Sequence, residues 1–425
     1  MTVRFVVVLL SLFASACAGS TSSTTVASRS KVEMEELRIT ATRQGDGYAF
    51  EVYDAKDLFD RATELLNAQK CAEAVPLYDK VAAEFEDGGY ASAALYNAGL
   101  CLQALGQFGP SAERYVKLRE RYPASDDRKD ASFQLAEVLV QLGRWDEIIA
   151  IADELLADEG LSSMERLEAM ARRSQALLGK KQLDEAERYA KSALSFYRTR
   201  PADDRIPDDF FAAANNYVLA ETYRERAQSM AFPQGLEEQK KVLVRRAELL
   251  LEAQREYFNT ISLNNLDNYY WAAASGYRIG NMYDELWHAV MSAPVPPNLP
   301  AEGHEVYREE LAKLIKPLIR HAIRYWELTL MFMERTGVKG AWADKTAADL
   351  DRVRALLLEQ PEGPGGLEAV PPEKIPARSG SGPNKEVNPP TRPLDQPPAP
   401  PPPRRGASSP LVAPPSAPSN APAKP

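Results

Sequence analysis

A pattern that recurs every 34 to 37 residues between about Asp54 and Arg200 constrains this chain more than any other feature. Its clearest copy contains Leu95-Tyr96-Asn97-Ala98-Gly99, Leu102, Gly106, Ser111, Tyr115, Leu118 and Pro123. Apolar residues at helical spacing predict two amphipathic helices in each unit, with small residues where the helices cross and a proline that closes the unit. Units of this kind stack on their neighbours, so the pattern predicts an all-α solenoid.

Three further copies support the pattern. The first contains Leu58, Ala62, Leu65, Ala74, Tyr78 and Val81; the third Leu135, Ala136, Leu139, Gly143, Ile148 and Leu155; the fourth Ser174, Leu177, Ala186, Ala190 and Ala193. Leucine and alanine at helical spacing are ordinary in a single helix. Four tandem copies with a near-constant period are hard to obtain by chance, and they indicate a true structural repeat.

This spacing resembles the tetratricopeptide repeat, a helix–turn–helix module of 34 residues. The resemblance implies a binding protein without catalytic activity, whose partner lies in a groove lined by the first helix of each repeat. It predicts as groove residues Lys56, Phe59, Asp60, Thr63, Tyr96, Asn97, Leu100, Gln103, Phe133, Gln134, Glu137 and Gln141. Among them, Tyr96 and Phe133 are the predicted aromatic anchors for a partner.

Some members of this repeat family hold a C-terminal carboxylate with a clamp of lysine, asparagine and arginine side chains. Lys56 and Asn97 match that clamp, but Asp60, Asp130 and Gln134 occupy its other three positions. Two acids would repel a carboxylate, so the clamp is not expected here. The groove instead suits a peptide or helix of mixed apolar and basic character.

The first 17 residues carry the features of a secretory signal. Arg4 precedes an apolar run from Phe5 to Phe13, and Ala14-Ser15-Ala16 leads to Cys17. The run is too short to span a bilayer as a mature helix, and cysteine directly after small residues resembles the bacterial lipobox. We therefore expect Cys17 to be acylated and the chain to face the periplasm from the outer membrane. Cleavage by an ordinary signal peptidase is the alternative.

Composition divides the rest of the chain into four zones. Residues 18–53 read as a polar tether with a strand-like stretch at Leu37 to Thr42, and residues 54–200 as the regular repeats. Residues 201–360 predict longer, irregular helices: a pair at 209–230 and 236–260, a pair at 268–291 and 305–335, and a last helix at 342–358. Residues 361–425 are rich in proline, lack the apolar mass of a core and predict an extended tail.

Aromatic residues concentrate in the irregular half, where most should fill the core. Tyr269, Tyr270 and Trp271 are consecutive, so they cannot all face inward from one helix. We expect at least one of the three to be exposed to a partner. The proline-rich tail is a second candidate contact, with peptidoglycan-associated proteins as its expected partners.

Catalytic and metal-binding patterns are weak in this chain. His288, His304 and His321 have no metal-ligand spacing, and acidic pairs such as Asp203-Asp204 suit helix starts. We therefore expect no enzyme, metal or cofactor, and a net charge of −9 argues against nucleic acid as a partner. Cys71 and Cys101 could pair in an oxidising compartment or remain as buried thiols.

Two further resemblances concern the biological setting. The anchored repeats look like repeat lipoproteins of the barrel-assembly machine and of Tol–Pal-linked division coordinators. The run Trp271-Ala272-Ala273-Ala274 with Tyr277-Arg278-Ile279-Gly280 is similar to envelope repeat proteins of myxobacteria, some associated with gliding motility. The favoured hypothesis is an envelope scaffold in an assembly or motility complex. The alternatives are a factor that modulates a peptidoglycan synthase or hydrolase, and an enzyme on the irregular half near Arg278 and Asp284.

Overall fold

The structure is a computed structural model that describes residues 36–44, 47–263 and 269–359. In these ranges the chain forms a β-hairpin, of strands β1 Arg38–Gln44 and β2 Gly47–Tyr53, followed by thirteen α-helices. The helices are α1 Ala55–Asn67, α2 Cys71–Glu84, α3 Ala91–Ala104, α4 Phe108–Arg121, α5 Asp127–Leu142, α6 Trp145–Leu156, α7 Ser163–Gly179, α8 Leu183–Arg198, α9 Phe210–Ser229, α10 Leu236–Ser262, α11 Tyr269–Met291, α12 His304–Thr336 and α13 Ala341–Glu359. The predicted all-α solenoid is confirmed.

The same turn joins the two helices of each of the first four pairs. One residue of every turn has a left-handed backbone: Gln69 with φ 60°, Gly106 with 71°, Gly143 with 66° and Lys181 with 60°. Glycine adopts this conformation without a steric penalty, and two of the four turns use it. The four left-handed residues are 37, 37 and 38 positions apart, at or one residue beyond the upper end of the period read from the sequence.

Small residues allow the helices to cross closely, as the pattern predicted. A Cβ atom added at Gly99 would lie 2.5 Å from the ring of Tyr115, and one at Gly179 would lie 2.6 Å from the ring of Trp145. The irregular half repeats the device, since a Cβ at Gly280 would lie 2.5 Å from the indole of Trp326. These glycines therefore set the distance between neighbouring helices.

The first helices of successive pairs lie on the inside of the solenoid. Among them α3 contacts α5, α5 contacts α7, and α7 contacts α9. The second helices of neighbouring pairs are instead linked by ion pairs between side chains. Arg114 lies 2.8 Å from Asp79, and Arg119 lies 2.7 Å from Glu154. The solenoid therefore curves towards α1, α3, α5, α7, α9 and α11, whose shared surface we call the inner face.

The irregular half continues this arrangement with longer helices. Helix α9 pairs with α10, α11 pairs with α12, and α13 packs against both α12 and α11. Each of these five helices begins and ends within two residues of its predicted position. Tyr277 ties the last three helices together, because its hydroxyl donates to Asp349 at 2.8 Å and its ring lies 6.1 Å from that of Trp326.

A β-hairpin occupies residues that the sequence suggested were tether. The predicted strand-like stretch, Leu37 to Thr42, overlaps β1 from Arg38 onward, but the hairpin extends to Tyr53, so an ordered element precedes α1 directly. Tyr53 is 2 % exposed and its hydroxyl donates to Glu84 at 2.7 Å. The β-propensity of Tyr48, Phe50 and Val52 accounts for the second strand, which the composition-based division overlooked.

Cys71 and Cys101 are free, buried thiols in the core between α2 and α3. Burial raises the pKa of the Cys101 thiol well above its ordinary value, and a hydrogen bond with Cys71 adds to the shift. Of the two alternatives that the sequence left open, the structure therefore shows the thiols.

Candidate binding surface

The inner face is accessible in the first two repeats. Lys56 is exposed there, and Thr63, Tyr96, Leu100 and Gln103 are partly exposed. Two of these side chains are held in place from below. The ring of Tyr96 lies 5.9 Å from that of Tyr115, whose hydroxyl donates to Gln103 at 2.9 Å. The open surface is therefore a row of polar and apolar side chains on a rigid base.

Lys56 and Asp60 form an ion pair at the first turn of this surface. The ammonium donates to the Asp60 carboxylate at 2.5 Å, and this hydrogen bond raises the pKa of Lys56. Asp130 and Gln134 lie farther along the inner face and are half-buried. Asp60 is therefore paired with Lys56, and the expectation that a carboxylate does not bind here stays a prediction.

Four predicted groove residues are buried, and for these the expected accessibility was wrong. Phe59 is 2 % exposed and packs between the rings of Tyr78, at 5.5 Å, and Tyr90, at 5.3 Å. Asn97 is 1 % exposed and donates to the hydroxyl of Tyr78. The third and fourth residues, Phe133 and Glu137, are 3 % and 6 % exposed.

The burial of the two aromatic residues, Phe59 and Phe133, has a simple cause. An aromatic ring at this point of the repeat can enter the gap between neighbouring inner helices, and that gap removes more apolar surface from water than the groove does. The binding role of the four residues stays a prediction. Phe133 in particular can reach a partner only if the surrounding helices move.

Glu137 belongs to a buried ion-pair cluster that the repeat pattern did not reveal. Its carboxylate pairs with Arg172 on α7, which also lies 3.6 Å from Glu168. The guanidinium stands 5.6 Å from the ring of Phe211 on α9. This cluster fills the inner face where α5, α7 and α9 meet, and it ends the open surface.

The aromatic trio at the start of α11 closes the inner face further along. Trp271 is 8 % exposed and packs against Phe210 and Tyr217, with ring centroids 5.8 Å and 5.1 Å away. Tyr269 and Tyr270 are half-buried. Burial raises the pKa of Tyr270, and the charge of Glu137 adds to the shift. Binding through the trio stays a prediction, but Trp271 itself is buried in this structure.

Two amide side chains lie at the border between the open and the closed parts. Gln134 is one turn from Glu137 on α5, and Gln175 is one turn from Arg172 on α7, so both lie beside the ion pair. Their Oε1 atoms are buried and have no hydrogen-bond partner among the described residues. Such acceptors can receive the backbone N–H groups of a bound chain.

Arg278 and Asp284, the residues suggested for an enzyme, hold helices together. Arg278 donates to the hydroxyl of Tyr217 at 3.2 Å and pairs with Glu221 at 3.0 Å. Asp284 accepts from Arg352 at 2.6 Å. Neither pair requires a substrate to explain it.

Other sequence predictions fall on parts of the chain that are not described. Cys17 and the proline-rich tail lie outside the described residues. Within residues 36–44, 47–263 and 269–359, no group of three or more His, Cys, Asp or Glu side chains is placed to hold a metal. In the same ranges, no helix combines the length and apolarity that crossing a membrane requires.

No protein-family model matches the chain, and no curated protein matches it in sequence. Several solved structures resemble it in fold. The TPR-like repeats of a kinesin light chain from Podosopora anserina share 18 % identity over 47 % of this chain and 96 % of theirs, with a TM-score of 0.33. A tetratricopeptide repeat protein from Parabacteroides merdae shares 12 % identity over 71 % and 98 %, with a TM-score of 0.36. A Rap protein complexed with competence and sporulation factor shares 13 % over 72 % and 99 %, with a TM-score of 0.26.

Proposed function

We propose that this chain is a non-enzymatic scaffold that docks a partner protein on the open inner face of its first two repeats. In the fuller form of the proposal, acylation of Cys17 anchors it to the periplasmic side of the bacterial outer membrane, within an assembly or motility complex. The observation that carries the proposal is the contrast along the inner face. Tyr96, Leu100 and Gln103 are accessible, while the cluster around Arg172 seals the surface beyond them.

The chemistry of the open surface favours a polypeptide over a small molecule. A row of side chains along α1 and α3 offers apolar contact at Tyr96 and Leu100 and hydrogen bonding at Gln103 and Thr63. An extended chain or an amphipathic helix fits such a row. Asp60 and Asp130 favour basic side chains in the partner.

Envelope anchoring is the part of this proposal that Cys17 carries. Two or more acyl chains hold a protein stably on a bilayer, whereas one does not. Cys17→Ser should therefore move the chain from the membrane pellet to the soluble periplasmic fraction. A variant that still sediments with membranes after a high-salt wash would exclude acylation as the anchor.

Truncation of the open surface tests partner docking. Tyr96→Ala combined with Leu100→Ala should weaken capture of the partner by roughly thirtyfold, since an anchor at the centre of an interface contributes about 2 kcal/mol or more. Quantitative mass spectrometry of affinity-captured complexes from crosslinked cells gives the measurement. Glu113→Ala on α4 is the control, because that side chain is 73 % exposed on an outer helix.

A partner recovered equally well by the double variant and by the control would move the site away from the inner face. Phe133→Ala is unsuitable for this test, although the sequence suggested it as an anchor. Its ring is buried, so truncation is expected to cost about 3–5 kcal/mol of stability instead.

A further inference from the structure

The β-hairpin presents one apolar face to solvent. In its register Ile39 pairs with Val52, Ala41 with Phe50 and Arg43 with Tyr48, so these six side chains share one face. Phe50 is 70 % exposed, Ile39 67 %, Tyr48 65 % and Val52 56 %. Hairpins normally turn such a face towards a core. Here the large apolar side chains point away from the protein.

The opposite face of the hairpin is polar, and the contacts with the solenoid lie at the end of the hairpin away from its turn. Arg38 donates to the backbone carbonyl of Glu84 at 2.9 Å, and Glu51 lies 3.7 Å from Arg61 on α1. Tyr53 is clamped beneath Lys80, whose ammonium stands 3.6 Å from the ring centroid. These contacts hold the open end of the hairpin. Every strand residue except Tyr53 is exposed, so the apolar face lies open to solvent.

The charges of the hairpin are divided between its faces in the same way. Glu36, Arg38 and Glu51 have side chains on the polar face, where Glu36 and Arg38 pair at 2.7 Å. The ionisable group of the apolar face is Arg43, next to Tyr48 at the turn end. An apolar surface bordered by a tyrosine and a cation matches the boundary between acyl chains and phosphate headgroups.

The size of the face argues against a second copy as its occupant. Strands of seven residues give a face roughly 25 Å long and 10 Å wide. A stable protein dimer buries about 800 Å² on each partner, which is several times this area. A lipid surface needs no matching partner, and a nearby acyl anchor raises the local concentration of the face at the bilayer.

We propose that the hairpin face formed by Ile39, Ala41, Tyr48, Phe50 and Val52 inserts into the headgroup region of a phospholipid membrane. This inference rests on the proposed envelope anchoring, which places the chain beside a membrane. The insertion itself depends only on the exposed apolar residues of the hairpin. Insertion removes the apolar side chains from water and holds the solenoid at a fixed orientation, with α1 nearest the membrane.

Fluorescent labels on two adjacent residues of β1 distinguish insertion of the apolar face from simple proximity of the hairpin to the membrane. Ile39→Cys and Thr40→Cys place a fluorescent dye on the apolar and the polar face of the full chain, and Cys71 and Cys101 are buried from the reagent. The chain without an added cysteine gives the background. Vesicles of phosphatidylethanolamine and phosphatidylglycerol carry a nitroxide on the acyl chain. The dye at position 39 should be quenched, and the dye at position 40 should not.

Phe50→Ser, read with the dye at position 39, should lower the partition coefficient roughly tenfold, since one large apolar side chain is lost from the inserted face. Thr42→Ser on the polar face should leave the partition coefficient unchanged.

Equal quenching of both dyes, or quenching of neither, overturns the proposal whether or not the chain sediments with the vesicles. Concentration-dependent dimerisation that Phe50→Ser abolishes would assign the face to a second copy. Failure of the anchor alone appears separately, as a Cys17→Ser chain that fractionates like the parent.

Discussion

Replacement of Arg224 by methionine is expected to cost about 3–5 kcal/mol of the free energy of unfolding. The Arg224 side chain is 5 % exposed, donates to Glu221 at 2.8 Å and contacts both oxygens of Glu285 at 3.1 Å. Methionine conserves the packing of the stem but leaves the two carboxylates with one half-buried cation, Arg278, near Glu221. The loss of stability arises because a buried carboxylate no longer has a cation beside it.

The two acids respond differently to burial, and this gives the prediction a second readout. Burial opposes ionisation of Glu221, but Arg224 and Arg278 outweigh it and lower the pKa of Glu221. Burial raises the pKa of Glu285 even with Arg224 beside it. A raised carboxyl pKa contributes stability at low pH that is lost as pH rises. Without Arg224 the pKa of Glu285 rises further, so the variant's deficit should be smaller at pH 5 than at pH 8.

Arg226→Met is the matched control on the same helix. Arg226 is 25 % exposed and pairs with Asp184, which is 90 % exposed, and with Glu187, which keeps a second partner in Lys191. Pairs at the surface contribute about 0–1 kcal/mol, and no carboxylate is left buried without a cation, so this change should cost much less than the change at Arg224. Urea denaturation of the three proteins gives the comparison. Equal losses at positions 224 and 226, or a deficit that does not vary with pH, would contradict a buried-charge origin.

The raised pKa values of four buried tyrosines should cost the chain roughly 5 kcal/mol of stability between pH 8 and pH 11. Burial raises the pKa of Tyr78 to about 12 and raises the pKa values of Tyr115, Tyr217 and Tyr257 well above the ordinary value. In the unfolded chain these hydroxyls ionise near pH 10, so above that pH the unfolded state has lost protons that the native state keeps. Each group then costs about 1.4 kcal/mol per pH unit until it ionises in the native state.

Tyr115→Phe measures the contribution of one tyrosine to this pH dependence. The deprotonation of lysines is the same in parent and variant, so it cancels in the comparison. The Tyr115 ring is fully buried, and its hydroxyl donates to Gln103. Gln103 is partly exposed, so water can replace this hydrogen bond when the hydroxyl is removed. Denaturant unfolding of parent and variant should give stabilities that converge by about 1 kcal/mol from pH 10 to pH 11. Parallel pH profiles would show that Tyr115 ionises as readily in the folded chain as in the unfolded one.

Helix positions could be read from the sequence because their causes are local. Apolar spacing marks the buried side of each helix, and glycines at 106 and 143 mark two of the four turns. Gln69 and Lys181 adopt the same left-handed conformation, although neither is a glycine that would have indicated a turn in the sequence. Only the period of the repeat could have located them.

The buried polar contacts could not be read in this way, because their partners are far apart in the chain. Arg224 meets Glu285 across 61 positions, and Arg172 meets Glu137 across two helices. On a helical projection these residues look like ordinary surface charges. The same limit explains Phe59 and Phe133, since a pattern locates the inner side of a helix but not whether a ring enters the groove or the gap beside it.

Site-specific photocrosslinking in living cells tests the central claim most directly. A photoreactive amino acid placed at Leu100 or Gln103 lies on the open inner face, and one placed at Glu113 or Glu120 lies on an outer helix. The account predicts one discrete protein adduct from positions 100 and 103, lost when Tyr96→Ala is introduced, and no such adduct from 113 or 120. Adducts that form only from the outer helix, or equally from both, would contradict docking on the inner face.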